Sequence, residues 1–128
     1  MSQAAAFRKA VEARDLEAMT AAFEEDAVLH SPVSFKPFEG REAIHTLLGI
    51  LIEVFREFHY TDALEGPGGT HALIFRAQVG ERQVEGLDLI RLADSGRIRE
   101  LTVMVRPRSA LEALLGEVGS RLAKRGTV

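Results

Sequence analysis

Apolar residues recur at helical spacing as the chain opens: Ala6 or Phe7, Ala10 and Val11 share one face between Gln3 and Arg14, which predicts a first helix. Asp15 then offers a side-chain oxygen to cap a second helix from Leu16 to Glu24. Ala27 to Ser31 predicts a brief strand ended by Pro32, and Lys36 to Gly40 a loop. The helix beginning near Arg41 carries two stripes. Ile44, Leu47, Leu48, Leu51 and Phe55 form one, and Ile50, Val54 and Phe58 the other, so little of this helix can face water and it is expected to lie across a sheet. Beyond it the apolar period changes to two. Residues 59–64, 70–79, 83–93 and 97–106 predict strands joined by glycine-containing turns at 65–69, 80–82 and 94–96, an antiparallel meander. Ser109 with Glu112 predicts a capping box after Pro107, and Leu111, Leu114, Leu115, Val118 and Leu122 line one face of a closing helix.

This order predicts a single α+β domain: a strongly curved antiparallel sheet wrapped over the N-terminal helices and the long helix, enclosing a conical pocket, with a C-terminal helix. A flat sheet with every helix on one side satisfies the same order and leaves no large cavity. Composition supports a packed domain, since 46% of the 128 residues are apolar and 27% charged. The absence of cysteine excludes disulfides, thiol catalysis and thiolate metal sites. A formal charge of −3 with scattered basic residues argues against a nucleic-acid partner. Residues Leu47 to Ile52 form the most apolar run and stop at Glu53, far short of a membrane span, and Arg8, Lys9 and Glu12 stand where a signal peptide needs apolar residues. The expectation is a cytoplasmic protein with no membrane partner.

Strand geometry singles out one acid. A two-residue Ser95-Gly96 turn pairs Asp94 with Arg97 and sets Asp88 opposite Val103 and Ile90 opposite Leu101. Asp88 then shares a face with Val84, Gly86, Ile90, Leu101, Val103 and Val105, which is apolar apart from this carboxylate. Desolvation there should raise its pKa, as a donor acid or poised base requires. Pairing with a nearby cation, or capping of a backbone group, is the structural alternative. A turn one residue longer would reverse the parity and point Asp88 outward. The opposite face, with Glu85, Leu87, Leu89, Arg91, Glu100, Thr102, Met104 and Arg106, mixes charge and apolar area as a dimer seam does.

Three stretches carry a family resemblance: Asp15-Leu16-Glu17-Ala18, Phe23 to Val33 and Phe38 to Ile44. They resemble the first half of nuclear transport factor 2-like proteins, which include ketosteroid isomerases, SnoaL-like (polyketide cyclase-like) domains and limonene epoxide hydrolase. Gly86 to Leu92 and Gly96 to Leu101 are similar to the penultimate hairpin of the same proteins. The resemblance implies a cystatin-like cone fold and frequent homodimers, here through the outer face of the sheet. It does not deliver one function. Ketosteroid isomerase uses an Asp base, with a Tyr and a protonated Asp forming an oxyanion hole. The position matching the base is Ser31, and the oxyanion Tyr falls on Phe7. Only the oxyanion Asp is kept, at Asp88, within Leu87-Asp88-Leu89-Ile90-Arg91-Leu92. The Asp-Arg-Asp set of limonene epoxide hydrolase falls on Ala77, Phe75 and Val103, so that chemistry is absent.

The resulting expectation is a pocket binding a small apolar molecule with one hydrogen-bonding group. Asp88 is the candidate catalytic acid, and Phe7, Ser31, Leu51, Phe55, Val84, Val103 and Val105 are candidate binding residues. If chemistry follows, it is proton transfer next to a carbonyl, an isomerisation or cyclisation. The rival reading is a non-catalytic ligand-binding or interaction domain, favoured by Phe7 and Ser31. The histidines at 30, 45, 59 and 71 show no metal-ligand spacing, and no cofactor is expected. His30 alternates away from Ser31, so a surface or edge role is expected for it.

Overall fold

The computed structural model describes residues 3–125. Four helices accompany a six-stranded, curved, unclosed sheet. In chain order these are α1 (Gln3–Glu12), α2 (Leu16–Ala21), β1 (Phe23–His30), β2 (Phe38–Glu39), α3 (Arg41–Val54), β3 (Arg56–Glu65), β4 (Thr70–Val79), β5 (Arg82–Leu92), β6 (Ile98–Arg106) and α4 (Arg108–Lys124). The strand order is β2-β1-β6-β5-β4-β3. Every pairing is antiparallel except β1 with β6, which is parallel, so the meander becomes a mixed sheet once β1 joins its open edge. No helix among the described residues is long and apolar enough to cross a membrane.

Local chemistry explains the helix boundaries. Arg14 adopts φ +56, and the Arg14 and Asp15 amides return to Val11 and Ala10 carbonyls, a Schellman ending made without glycine. Asp15 caps α2 by accepting the Ala18 amide at 3.1 Å. That helix ends at Ala21 rather than Glu24, because the Ile98 amide bonds the Ala22 carbonyl and draws Phe23 onward into β1. The loop expected at 36–40 contains the short β2, paired to β1 through Val28 and Leu29. Long helix α3 stops at Val54 and Phe55 is already extended, which places Phe58 on a strand instead of on a helical stripe. At α4, Pro107 is the cap and no side-chain capping bond forms. Glu112 instead meets Arg108 at 3.1 Å, so the expected Ser109 capping box is absent.

The turn before β6 is also one residue longer than expected. The Ala93 amide bonds the Arg97 carbonyl around a loop of residues 94–96, with Gly96 at φ +91. A register shift between Arg91 and Leu92 compensates it. Leu92 pairs with Ile98, whereas Arg91 pairs with Glu100, so Arg99 is the extra residue of a bulge and Asp88 still faces Val103. Parity survives two opposite departures.

The core fills the concave side. Ala4, Phe7 and Ala10 from α1, Ile44, Leu47, Leu48 and Ile50 from α3, and Ala110, Leu114 and Val118 from α4 are buried against Leu73, Phe75, Ile90 and Leu101 of the sheet. Gly86 has a steric reason to be glycine. The Phe75 ring lies across it from the neighbouring strand, and a Cβ there would come within 2.0 Å of the ring.

Candidate functional site

Asp88 is buried on this concave face, at 6% exposure. Strand pairing places Leu73 on one side of it and Val103 on the other. Its partner is Tyr60, whose hydroxyl donates to Oδ2 at 2.8 Å. The bond identifies what Asp88 meets. The partner is a neutral phenol rather than a cation, so the acid has no counter-charge in contact with it.

The electrostatic consequence follows from burial. Desolvation disfavours the carboxylate and lifts the Asp88 pKa from an ordinary 3.8 to about 7, while the phenol's hydrogen bond pulls the other way. Tyr60 is pushed well above the usual phenol value of 10, first by burial and then by the adjacent Asp88 charge. The phenol therefore remains a donor at neutral pH, and Asp88 exchanges its proton there. Arg8 stands over the Tyr60 ring at 5.8 Å from its centroid.

A cavity of about 50 Å³ adjoins the pair, walled by Phe7, Leu51, Phe55, Phe58, Phe75 and Val103 among others. Of the expected binding residues, Phe7, Leu51, Phe55 and Val103 thus meet Asp88 around one space. Ser31 lines a neighbouring space of about 10 Å³, shut by Leu114 and Val118 of α4, and its Oγ accepts the Val33 amide at 3.1 Å. Val84 is buried on the same sheet face and Val105 partly so, and neither borders the Asp88 cavity. The ring of Phe7 packs edge-on against Phe23 with centroids 5.5 Å apart.

Several contributors escaped the sequence reading, Tyr60, Phe58 and Phe75 among them. Tyr60 lies between two irregularities in the β3–β4 register, one between Arg56 and His59 and one between Tyr60 and Asp62, so alternation could not assign it a face. Its being the only tyrosine was the available hint. Phe58, expected on α3, stacks on Phe75 with centroids 4.6 Å apart and meets Tyr60 edge-on at 5.0 Å. The histidines lie elsewhere: His30 Nε2 pairs with Glu100 at 2.8 Å and His45 Nε2 with Glu17 at 3.2 Å. Among the described residues no group of three or more His, Asp or Glu side chains is placed to hold a metal ion.

The family model for the SnoaL-like domain matches residues 4–101, which include Tyr60 and Asp88 and end before α4. The chain belongs to this family, within the nuclear transport factor 2-like superfamily. It is similar to a steroid delta-isomerase from Pseudomonas aeruginosa, with 38% identity, a TM-score of 0.91, and coverage of 98% of this chain and 93% of that one. A protein with a cystatin-like fold from Silicibacter pomeroyi is 31% identical, with a TM-score of 0.89 and coverage of 94% and 85%. The epoxide hydrolase/cyclase-like enzyme SalBIII shares the fold at 19% identity, with a TM-score of 0.70 and coverage of 84% and 90%. No curated protein matches the chain.

Proposed function

We infer that this protein binds a small apolar molecule carrying one hydrogen-bonding oxygen and moves a proton next to its carbonyl group, in an isomerisation or cyclisation. The observation that carries this reading is the buried Tyr60–Asp88 pair on an otherwise apolar wall, with no cation in contact with the acid. Tyr60 engages Oδ2, and in this reading Oδ1 is the atom that meets the ligand. A carboxyl group that titrates near neutrality is matched to reversible proton transfer. In its carboxylate form Asp88 takes the proton next to the carbonyl as the substrate enolises and returns it to the carbon that ends protonated. In its protonated form it donates to the developing oxyanion while solvent takes the carbon-bound proton, and its dry surroundings strengthen that hydrogen bond. The likeness to a steroid delta-isomerase supports this reaction class. Phe7 and Ser31 supply neither a phenol nor a carboxylate where ketosteroid isomerase has them, so the steroid reaction itself is not assigned.

The test is exchange of the hydrogens next to the carbonyl in a panel of cyclic β,γ-unsaturated ketones, followed by proton NMR in deuterated buffer. The parent protein should catalyse exchange and Asp88→Asn should lose about 100-fold or more of it. A rate that falls as pH rises through about 7 identifies Asp88 as the donor, and a rate that rises identifies it as the base. If the parent exchanges none of the panel, the catalytic reading fails and the binding-domain reading takes its place.

Pairing of two copies through the outer sheet face is proposed alongside. That face holds a groove of about 330 Å³ lined by Ile74, Leu87 and the exposed Met104, with ion pairs of Glu85 to Arg76 and Arg106 beside it.

A further inference from the structure

The space beside Asp88 poses a problem of scale. A cavity of roughly 150 Å³ holds one benzene ring, and the cavity here is about 50 Å³. A second space of about 220 Å³ lies between the α1–α2 turn and the α3–β3 junction, and Val11, Met19, Leu51, Phe55 and Phe58 line both. We propose that this outer space is the vestibule of the site and that the Phe58 ring is its gate, swinging outward to admit a flat ring system that takes its place against Phe75. The proposal rests on the reading of Asp88 as a ligand-binding acid.

Three features converge on Phe58. Its ring stacks on Phe75 at an interplanar angle of 24° and closes edge-on against Tyr60, so it separates the vestibule from the acid pair. Its backbone sits in a bulge, where Glu57 and Phe58 together oppose Ala77 between the paired Arg56–Gln78 and His59–Arg76 positions, so the β4 ladder grips it loosely. Glu57, just before it, adopts φ +52. Among the described residues, Glu57 and Arg14 are the non-glycine positions with positive φ, and both line the vestibule. Arg14 also reaches across the rim and donates to the Ile52 carbonyl at 2.6 Å, tying the α1–α2 turn to the end of α3. The opposite approach, past Ser31, is narrowed to about 10 Å³ beneath Leu114 and Val118 of α4.

A displaced Phe58 uncovers the face of Phe75 beside the Tyr60 hydroxyl and Asp88. A slot of that shape selects a flat ring system bearing one oxygen at its edge, as the dienolate of a cyclic ketone is, over a branched aliphatic molecule. Phe58 is thus a specificity-determining residue, and opening it taxes affinity by the fraction of time the gate stands open.

Stopped-flow fluorescence with 2-naphthol, a flat phenol, tests the gate. Phe58→Ala should associate at least tenfold faster than the parent, and Leu114→Ala, on the α4 side, at the parental rate. Phe58→Leu, expected to fall between them, serves if the alanine variant does not fold. Equal rates in the parent and the Phe58 variants, or acceleration by Leu114→Ala alone, would overturn the gate. Adding Asp88→Asn to Phe58→Ala separates gate from site. Weaker binding with association still fast supports both, whereas unchanged affinity removes the Asp88 reading and leaves the gate standing. No 2-naphthol binding by any variant overturns both.

Discussion

Strands β5 and β6 present two faces built from alternate residues of the same ten-odd positions, and the faces treat their acids in opposite ways. On the concave face Asp88 is buried among apolar side chains and meets a phenol. On the outer face Glu85 lies between Arg76 and Arg106 at 3.1 and 3.0 Å, and Glu100 between His30 and Arg91 at 2.8 and 3.6 Å. Those side chains keep about a third of their surface in water, at 30% for Glu85 and 33% for Glu100. Water and arginine share the outer charges, so each pair contributes at most about 1 kcal/mol. Asp88 has neither, and its proton becomes the variable. Proton affinity in this sheet follows desolvation, and the number of charges is a poor guide to it.

The largest effect expected from this contrast is in the pH dependence of stability. Asp88 holds its proton in the folded state up to about pH 7 and releases it near 3.8 when exposed. Its folded pKa is raised, so the stability it confers is complete below about pH 4 and is lost as pH rises through about 7. At roughly 1.4 kcal/mol per pH unit, the loss across that window is about 4 kcal/mol. Urea unfolding of the parent should become easier by this amount relative to Asp88→Asn between pH 4 and pH 7. Parallel profiles for the two proteins would show that Asp88 is not desolvated.

Tyr60→Phe should have a smaller and pH-dependent effect. A hydrogen bond to a charged group contributes about 1.5–3 kcal/mol, so the variant should lose that much at pH 8 and less at pH 5, where Asp88 is protonated. Because the phenol lowers the Asp88 pKa, its removal should move that pKa further up, readable from the carboxyl carbon resonance in an NMR titration. A downward move would reverse the assigned role of the bond.

The smallest effect on folding belongs to the outer face. Met104 is 48% exposed, and Met104→Glu should change the unfolding free energy by less than about 0.5 kcal/mol. Sedimentation at micromolar concentration should nevertheless show a pair of copies in the parent and a single copy in the variant. A parent that sediments as a single copy would refute the proposed seam.

Much of the architecture was legible because its signals are local and repeated. The two stripes of α3, the period-two run from residue 70 to 106 and the Asp15 cap each follow from neighbouring residues. The position of Asp88 on the apolar face was also legible, although the two-residue turn behind that expectation was not the turn that forms. A longer loop and a bulge at Arg99 cancelled, and the hydrophobic pattern of β5 and β6 selected the register that buries Val84, Ile90 and Leu101.

The order of apolar and polar residues along this chain determined most of its elements and the acid that faces the core, and its motifs from Asp15 to Ile44 and from Gly86 to Leu101 carried the family resemblance. Tertiary structure decided what that acid meets. Tyr60 and Asp88 are 28 positions apart and come together only when β3 joins the sheet beyond β4, through bulges that no alternation rule anticipates. The size of the site was decided there as well, since the fit of Phe55, Phe58 and Phe75 against one another depends on where α3 ends and how β3 bends. Those angles arise from packing across the whole cone.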